Sequence, residues 1–174
     1  MDVVIPGVHP WNEVLKNPFL WHFAFHSIPE LPEKLVCGKE KEYFEFFYNA
    51  ISKHPERITA QAKDYYIYAY SGSEQLKTGF NWYRGFTEDA RYNLNLIKYQ
   101  ENILTPVLYM RGNKSSINID QYAIGFAKAG LQNLKTKVIP DCGHFISEEQ
   151  HELFWDSISY FINQLENNEI CKKK

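Results

Sequence analysis

The sequence predicts an α/β fold in which a block of helices precedes the edge of a parallel sheet. Apolar runs of strand length occur only at Val3–Ile5, 107–110 and 137–139. From 8 to 100 no convincing strand appears, and apolar residues recur at helical spacing. After 100 the order is strand, helix, strand, helix, which implies right-handed crossovers and parallel pairing.

Residues 1–7 open with Asp2-Val3-Val4-Ile5 and stop at Pro6-Gly7, the end of a buried strand running into a turn. A short aromatic helix follows Pro18 over 18–26, and an amphipathic helix spans 39–54, with Tyr43, Phe44, Phe47 and Ile51 on one face. Thr59 is the expected N-cap of a helix through Tyr66 and Tyr70, and another spans 73–85, ending near Gly85. This all-helical part covers 8–100. Within 101–166 a strand follows Pro106 and ends at Arg111-Gly112, a helix spans 120–129, and a second strand lies near 137–139. A long helix opens at Ser147, where Ser147-Glu148-Glu149-Gln150 has capping-box form, and runs to about Glu166. Residues 167–174 form a basic, solvated tail.

The 174 residues are 44% hydrophobic and 16% aromatic, enough to bury a core. A net charge of −2 with well-mixed signs carries no signature of nucleic-acid or membrane binding. No apolar run approaches the roughly 18 residues a membrane span needs. Cys37, Cys142 and Cys171 sit at unrelated spacings that suggest neither a disulfide framework nor a zinc site. The N-terminus has no basic, apolar leader. A cytoplasmic protein without metal or cofactor is expected.

The strand ending in Pro140-Asp141-Cys142-Gly143-His144-Phe145, followed at once by Ser-Glu-Glu-Gln and a helix, resembles the catalytic-histidine loop of α/β-hydrolases. Pro106-Val107-Leu108-Tyr109-Met110-Arg111-Gly112 resembles that fold's penultimate strand. The helical block with Asn81-Trp82-Tyr83-Arg84 resembles the cap of epoxide hydrolases, and residues 1–7 resemble the strand leading into that cap. The similarity extends from 1 to about 166. It implies the C-terminal part of an α/β-hydrolase fold, carrying an α-helical cap.

In that family a carboxylate attacks carbon to form an ester, and a histidine oriented by a second acid activates water to hydrolyse it. The resemblance assigns the base role to His144, at the carboxyl edge of the sheet, where Gly143 would let the backbone turn tightly. The plainer reading is a surface or helix-capping histidine. Most members carry the orienting acid as Gly-x-x-Asp after the penultimate strand, but here Ser115 holds that position. Members resembling haloacetate dehalogenases take it from the strand entering the cap, which Asp2 matches. Asp2 is favoured over Asp120, whose plainer role is to cap a helix. Asp141 matches no family role.

Tyr83 matches the cap tyrosine that donates a hydrogen bond to the epoxide oxygen or helps hold a leaving halide. Trp21 and His22 stand where epoxide hydrolases usually carry a second tyrosine. Their N–H groups suit a halide pocket as in dehalogenases, although there the order is reversed. Each is as readily explained by packing. His9, His26, His54 and His151 belong to no constellation and read as surface or turn residues.

The chain carries no Gly-x-Ser-x-Gly or Gly-x-Asp-x-Gly elbow, hence no nucleophile of its own. The leading expectation is therefore part of an epoxide hydrolase, truncated and inactive alone, which acts on a small-molecule substrate once completed. A hydrolytic dehalogenase of short haloacids is the alternative. A non-catalytic remnant that binds a partner is the alternative of another class. The partners expected are the missing N-terminal half or a second copy of the chain, since uncovered apolar surface binds something or aggregates.

Overall fold

The computed structural model describes residues 3–99, 102–114 and 117–172. Helix α1 (Trp11–Leu15) leads through a 3-10 turn at Pro18–Leu20, whose Asn17 side chain accepts from the Phe19 N–H, into α2 (Trp21–Ser27). Helices α3 (Leu31–Val36) and α4 (Glu40–Ile51) follow. A 3-10 turn at Pro55–Arg57 leads to α5 (Ala60–Ala69), which Thr59 caps by accepting from the Ala62 N–H at 3.1 Å. Helix α6 (Ser73–Lys98) is the axis of this part, and α2 and α3 pack on it. Val36, Leu76 and Phe80 form the buried centre, with Phe25, Tyr43 and Phe44 against it.

Helix α6 runs thirteen residues past the end expected at Gly85. A glycine inside a helix costs only about 1 kcal/mol, and contacts on the extra turns outweigh that. The Phe86 ring meets Trp11 at 5.3 Å and Phe23 at 5.2 Å, while Asn93 donates to the Pro6 carbonyl at 3.0 Å.

Strand β1 (Val107–Gly112) pairs in parallel with β2 (Leu134–Ile139), from Val107 opposite Leu134 to Gly112 opposite Ile139. Helix α7 (Ile119–Lys128) makes the crossover, and its N-cap is Asn118, whose side chain accepts from the Asp120 N–H. Alternate β1 side chains enter different clusters. Tyr109 joins Val8, Tyr122 and Phe126, whereas Met110 joins Ile139, Cys142, Ile146 and Phe154. Packing on both faces is the mark of a parallel-sheet strand.

Val3–Ile5 differs from the expected strand. A strand needs a neighbour's N–H and C=O groups, and among the described residues neither β1 nor β2 pairs with it. The segment is held by side chains instead: the Tyr109 hydroxyl donates to the Val3 carbonyl at 3.0 Å, and Val4 and Ile5 pack on the Tyr109 cluster.

The C-terminal helix also departs from expectation, being split into α8 (Ile146–Glu149) and α9 (His151–Lys172). Ser147 lies inside α8 rather than capping it; Phe145 is the N-cap and offers no side-chain acceptor. The freed role falls to Glu149, whose carboxylate reaches back to the Phe145 N–H at 3.2 Å. Among the described residues no helix is long and apolar enough to cross a membrane.

Candidate functional site

The site begins where β2 ends. Asp141 turns the chain with φ +51°, a left-handed conformation that Asp tolerates better than most residues. It thereby does what the sequence assigns to Gly143. Gly143 is required for another reason, close approach of two backbones. A Cβ there would stand 2.4 Å from the Lys53 nitrogen and 2.6 Å from the Ile51 carbonyl oxygen. A Cβ on Gly112 would likewise stand 2.0 Å from the Gly143 carbonyl oxygen. The end of β1, the histidine loop and the end of α4 are therefore stacked with no room for a side chain between them.

His144 projects from this stack with its side chain exposed, and its backbone N–H donates to the Ile51 carbonyl at 3.1 Å. On one side the buried Glu149 carboxylate accepts from the Gly143 N–H at 3.0 Å and the Phe145 N–H at 3.2 Å. The same carboxylate accepts from Lys53 N–H at 2.8 Å and His54 N–H at 2.9 Å. On the other side the Asp141 carboxylate meets the His54 ring at 2.8 Å, Arg57 at 2.9 Å and Lys53 at 3.0 Å. His54 and these two cations hold the Asp141 carboxyl well below the usual carboxylate range. Lys114 adds a bond to the Ser52 carbonyl at 2.5 Å, and Tyr66 donates to Glu148 at 2.5 Å.

Across from the loop lies an aromatic cluster. His22 and His26 occupy one face of α2, with rings 5.6 Å apart, and both are buried. Tyr83, on α6, sets its ring edge-on to both, 5.8 Å from His22 and 4.4 Å from His26. The His26 Nε2 bonds the Tyr43 hydroxyl at 2.5 Å, and the ring stacks on Phe80 at 4.3 Å. Among the described residues, the Nδ1 atoms of His22 and His26 are buried with no hydrogen-bond partner. Burial lowers the His22 pKa to about 4, helped by the charge of nearby His144. Burial, then His22, then Arg84 lower His26 to about 3. Burial raises the Tyr83 phenol above its ordinary value. Both imidazoles are thus neutral near pH 7, and the phenol keeps its proton.

Of the residues singled out from sequence, His144, His22 and Tyr83 belong to neighbouring parts of one region. Trp21 packs against Phe25, Phe46 and Phe47 at ring distances of 5.8, 6.0 and 5.9 Å, and remains 42% exposed. Its chemistry there is that of an aromatic wall. Asp2 and Ser115 lie outside the described residues. Asp120 is exposed in the first turn of α7, where a negative charge suits the helix dipole. Two histidines expected at surface or turn positions are structural: His26 is buried beneath Tyr83, and His54 is bound to Asp141. Glu149 was hidden inside an apparent capping box. His26 carried a faint signal, its four-residue spacing from His22 on one helix face.

No family model and no curated protein matches the sequence. Solved structures do. Cfl2 from Burkholderia cenocepacia is 30% identical, with a TM-score of 0.76 over 92% of this chain and 55% of its own. The Cif epoxide hydrolase from Acinetobacter nosocomialis is 24% identical, with a TM-score of 0.71 over 81% of this chain and 44% of its own. The epoxide hydrolase CorEH is 22% identical, with a TM-score of 0.71 over 84% of this chain and 50% of its own. The chain spans about half the length of these structures. With a helical part followed by a parallel sheet edge and a histidine loop at its carboxyl end, the chain has a fold similar to part of an α/β-hydrolase.

Proposed function

We propose that the chain supplies the base and the cap of an epoxide-opening hydrolase whose nucleophile lies in a segment outside these 174 residues. The observation that carries this reading is the pairing of His22 with Tyr83, ring centroids 5.8 Å apart, near enough to His144 for its charge to act on His22. A carboxylate from the completing segment would attack an epoxide carbon, and the C–O bond would break. The protonated Tyr83 phenol would give its proton to the departing oxygen, which becomes a hydroxyl and leaves Tyr83 a phenolate, while one N–H of neutral His22 donates a hydrogen bond to the same oxygen. His144 would then take a proton from water as that water attacks the ester, releasing a diol and restoring the carboxylate, and that proton returns through solvent to the Tyr83 phenolate. Asp2 is the acid proposed to orient His144. The similarity to two epoxide hydrolases supports the substrate class.

The test is reconstitution. The purified chain is mixed with a polypeptide carrying a Gly-x-Asp-x-Gly elbow encoded just upstream, and hydrolysis of styrene oxide is followed. Turnover is expected only in the mixture. Tyr83→Phe and His22→Phe should each lower kcat by about 100-fold, and His144→Ala should stall the reaction at the ester. Turnover by the chain alone that His144→Ala abolishes would overturn the external nucleophile. Release of chloride from chloroacetate, with styrene oxide untouched, would replace the substrate by a haloacid. A mixture inert towards both would favour a non-catalytic, partner-binding role.

A further inference from the structure

The buried Glu149 carboxylate joins two segments that are far apart in sequence. Its Oε2 accepts from three backbone N–H groups, those of Lys53 (2.8 Å), His54 (2.9 Å) and Gly143 (3.0 Å). Its Oε1 accepts from a fourth, Phe145, at 3.2 Å. Gly143 and Phe145 flank His144 on either side, while Lys53 and His54 follow the end of α4. Glu149 is 3% exposed, and all four partners are N–H donors, which carboxylate oxygens accept.

We infer that Glu149 is the positioning residue of His144, and that through it docking of the 51–54 segment and placement of the base are one event. Glu149 acts through the backbone on both sides of His144, at Gly143 and Phe145. The His144 N–H bonds Ile51, and the Gly143 Cα lies where a Cβ would strike Lys53, so the two segments also meet directly. Without the carboxylate, four N–H groups, that of Gly143 buried and the others part-buried, lose their acceptor together. The cheapest remedy is for the loop and the 51–54 segment to part and admit water. His144 would then follow the loop. This inference rests on the reading of His144 as the base only for its functional meaning; the coupling itself is a property of the fold.

The test is made on the full chain, where no activity is needed. Amide hydrogen exchange and the His144 ring resonances are read by NMR in the wild type, Glu149→Leu and Glu149→Gln. In Glu149→Leu the amides of Lys53, His54, Gly143 and Phe145 should exchange at least about tenfold faster. Met110 and Ile139 in the strands should be unchanged, and the His144 ring signals should shift or broaden. Glu149→Gln keeps one acceptor oxygen and should restore part of both effects; if the leucine variant fails to fold, the smaller local change in glutamine decides. Unchanged exchange at the four amides overturns the inference. So does a uniform rise across the whole chain, which would make Glu149 a general stabiliser. Either result would leave the epoxide reading standing, since that reading is judged by reconstituted turnover.

Discussion

Asp141 and His54 are joined at 2.8 Å across the seam between the histidine loop and the segment after α4. Lys53 and Arg57 close on the same carboxylate, so one exposed anion collects three partners from a single five-residue stretch. Its folded pKa lies below the unfolded one. Its contribution is therefore complete above about pH 4 and is lost as pH falls through the lower, folded value. Asp141→Asn should be less stable than wild type at pH 6, and the gap in urea midpoint should narrow steadily between about pH 4 and pH 2. A gap independent of pH would mean the cluster holds the seam by shape rather than by charge.

Gly143→Ala puts a Cβ 2.4 Å from the Lys53 nitrogen and 2.6 Å from the Ile51 carbonyl oxygen. Neither neighbour is a flexible side-chain end, so backbone must move. The expected cost is about 2 kcal/mol or more, with a fall in thermal midpoint. Loss of the His144–Ile51 bond should accompany it, read as faster exchange of the His144 amide. A variant as stable as wild type would show that the segment has room to retreat.

What the sequence made legible was local. Thr59 before Ala60 announced its helix because a cap and the first turn are neighbours, and Pro106 marked the approach to β1. The Gly143-His144-Phe145 loop was legible because it follows a strand and precedes a helix. The partners of these residues were not. His54 and Asp141 are 87 positions apart, and Glu149 and Lys53 are 96 apart, so no periodicity links them. Ser147 does not cap the helix: a Ser-x-x-Gln pattern has capping-box form whether or not the chain enters the helix at that residue. Here it enters two residues earlier, at Phe145. Val3–Ile5 has the composition of a strand, but composition does not supply a neighbouring edge.

His22 and His26 make the helical part acid-sensitive well above the carboxylate range. Their folded pKa values, about 4 and about 3, lie below the ordinary 6.5, so the folded state resists protonation that the unfolded chain accepts. Their contribution is complete above about pH 6.5 and is lost as pH falls towards those folded values. Between about pH 6.5 and 5 the wild type should lose stability in urea titrations, with the proton uptake on unfolding due to this pair rising from about one to about two. His26→Phe should reduce that uptake by about one, although it also removes the bond to Tyr43 and lowers stability at pH 7. An unchanged pH slope would place the His26 proton elsewhere.

Gly85 separates two readings of α6. If the helix ended there, as its glycine suggests, a side chain would meet a terminus needing special backbone freedom, and alanine would destabilise. Gly85 is interior to a 26-residue helix, and an added Cβ approaches the Asp89 carboxylate, at 3.4 Å. That carboxylate can swing away. Gly85→Ala should therefore raise stability by about 0.5–1 kcal/mol, because alanine loses less backbone entropy in a helix. Urea unfolding of the two chains at pH 7 measures this directly. A loss instead of a gain would mean that residues 86–98 do not continue the helix in solution, and the contacts of Phe86 with Trp11 and Phe23 would be lost with them.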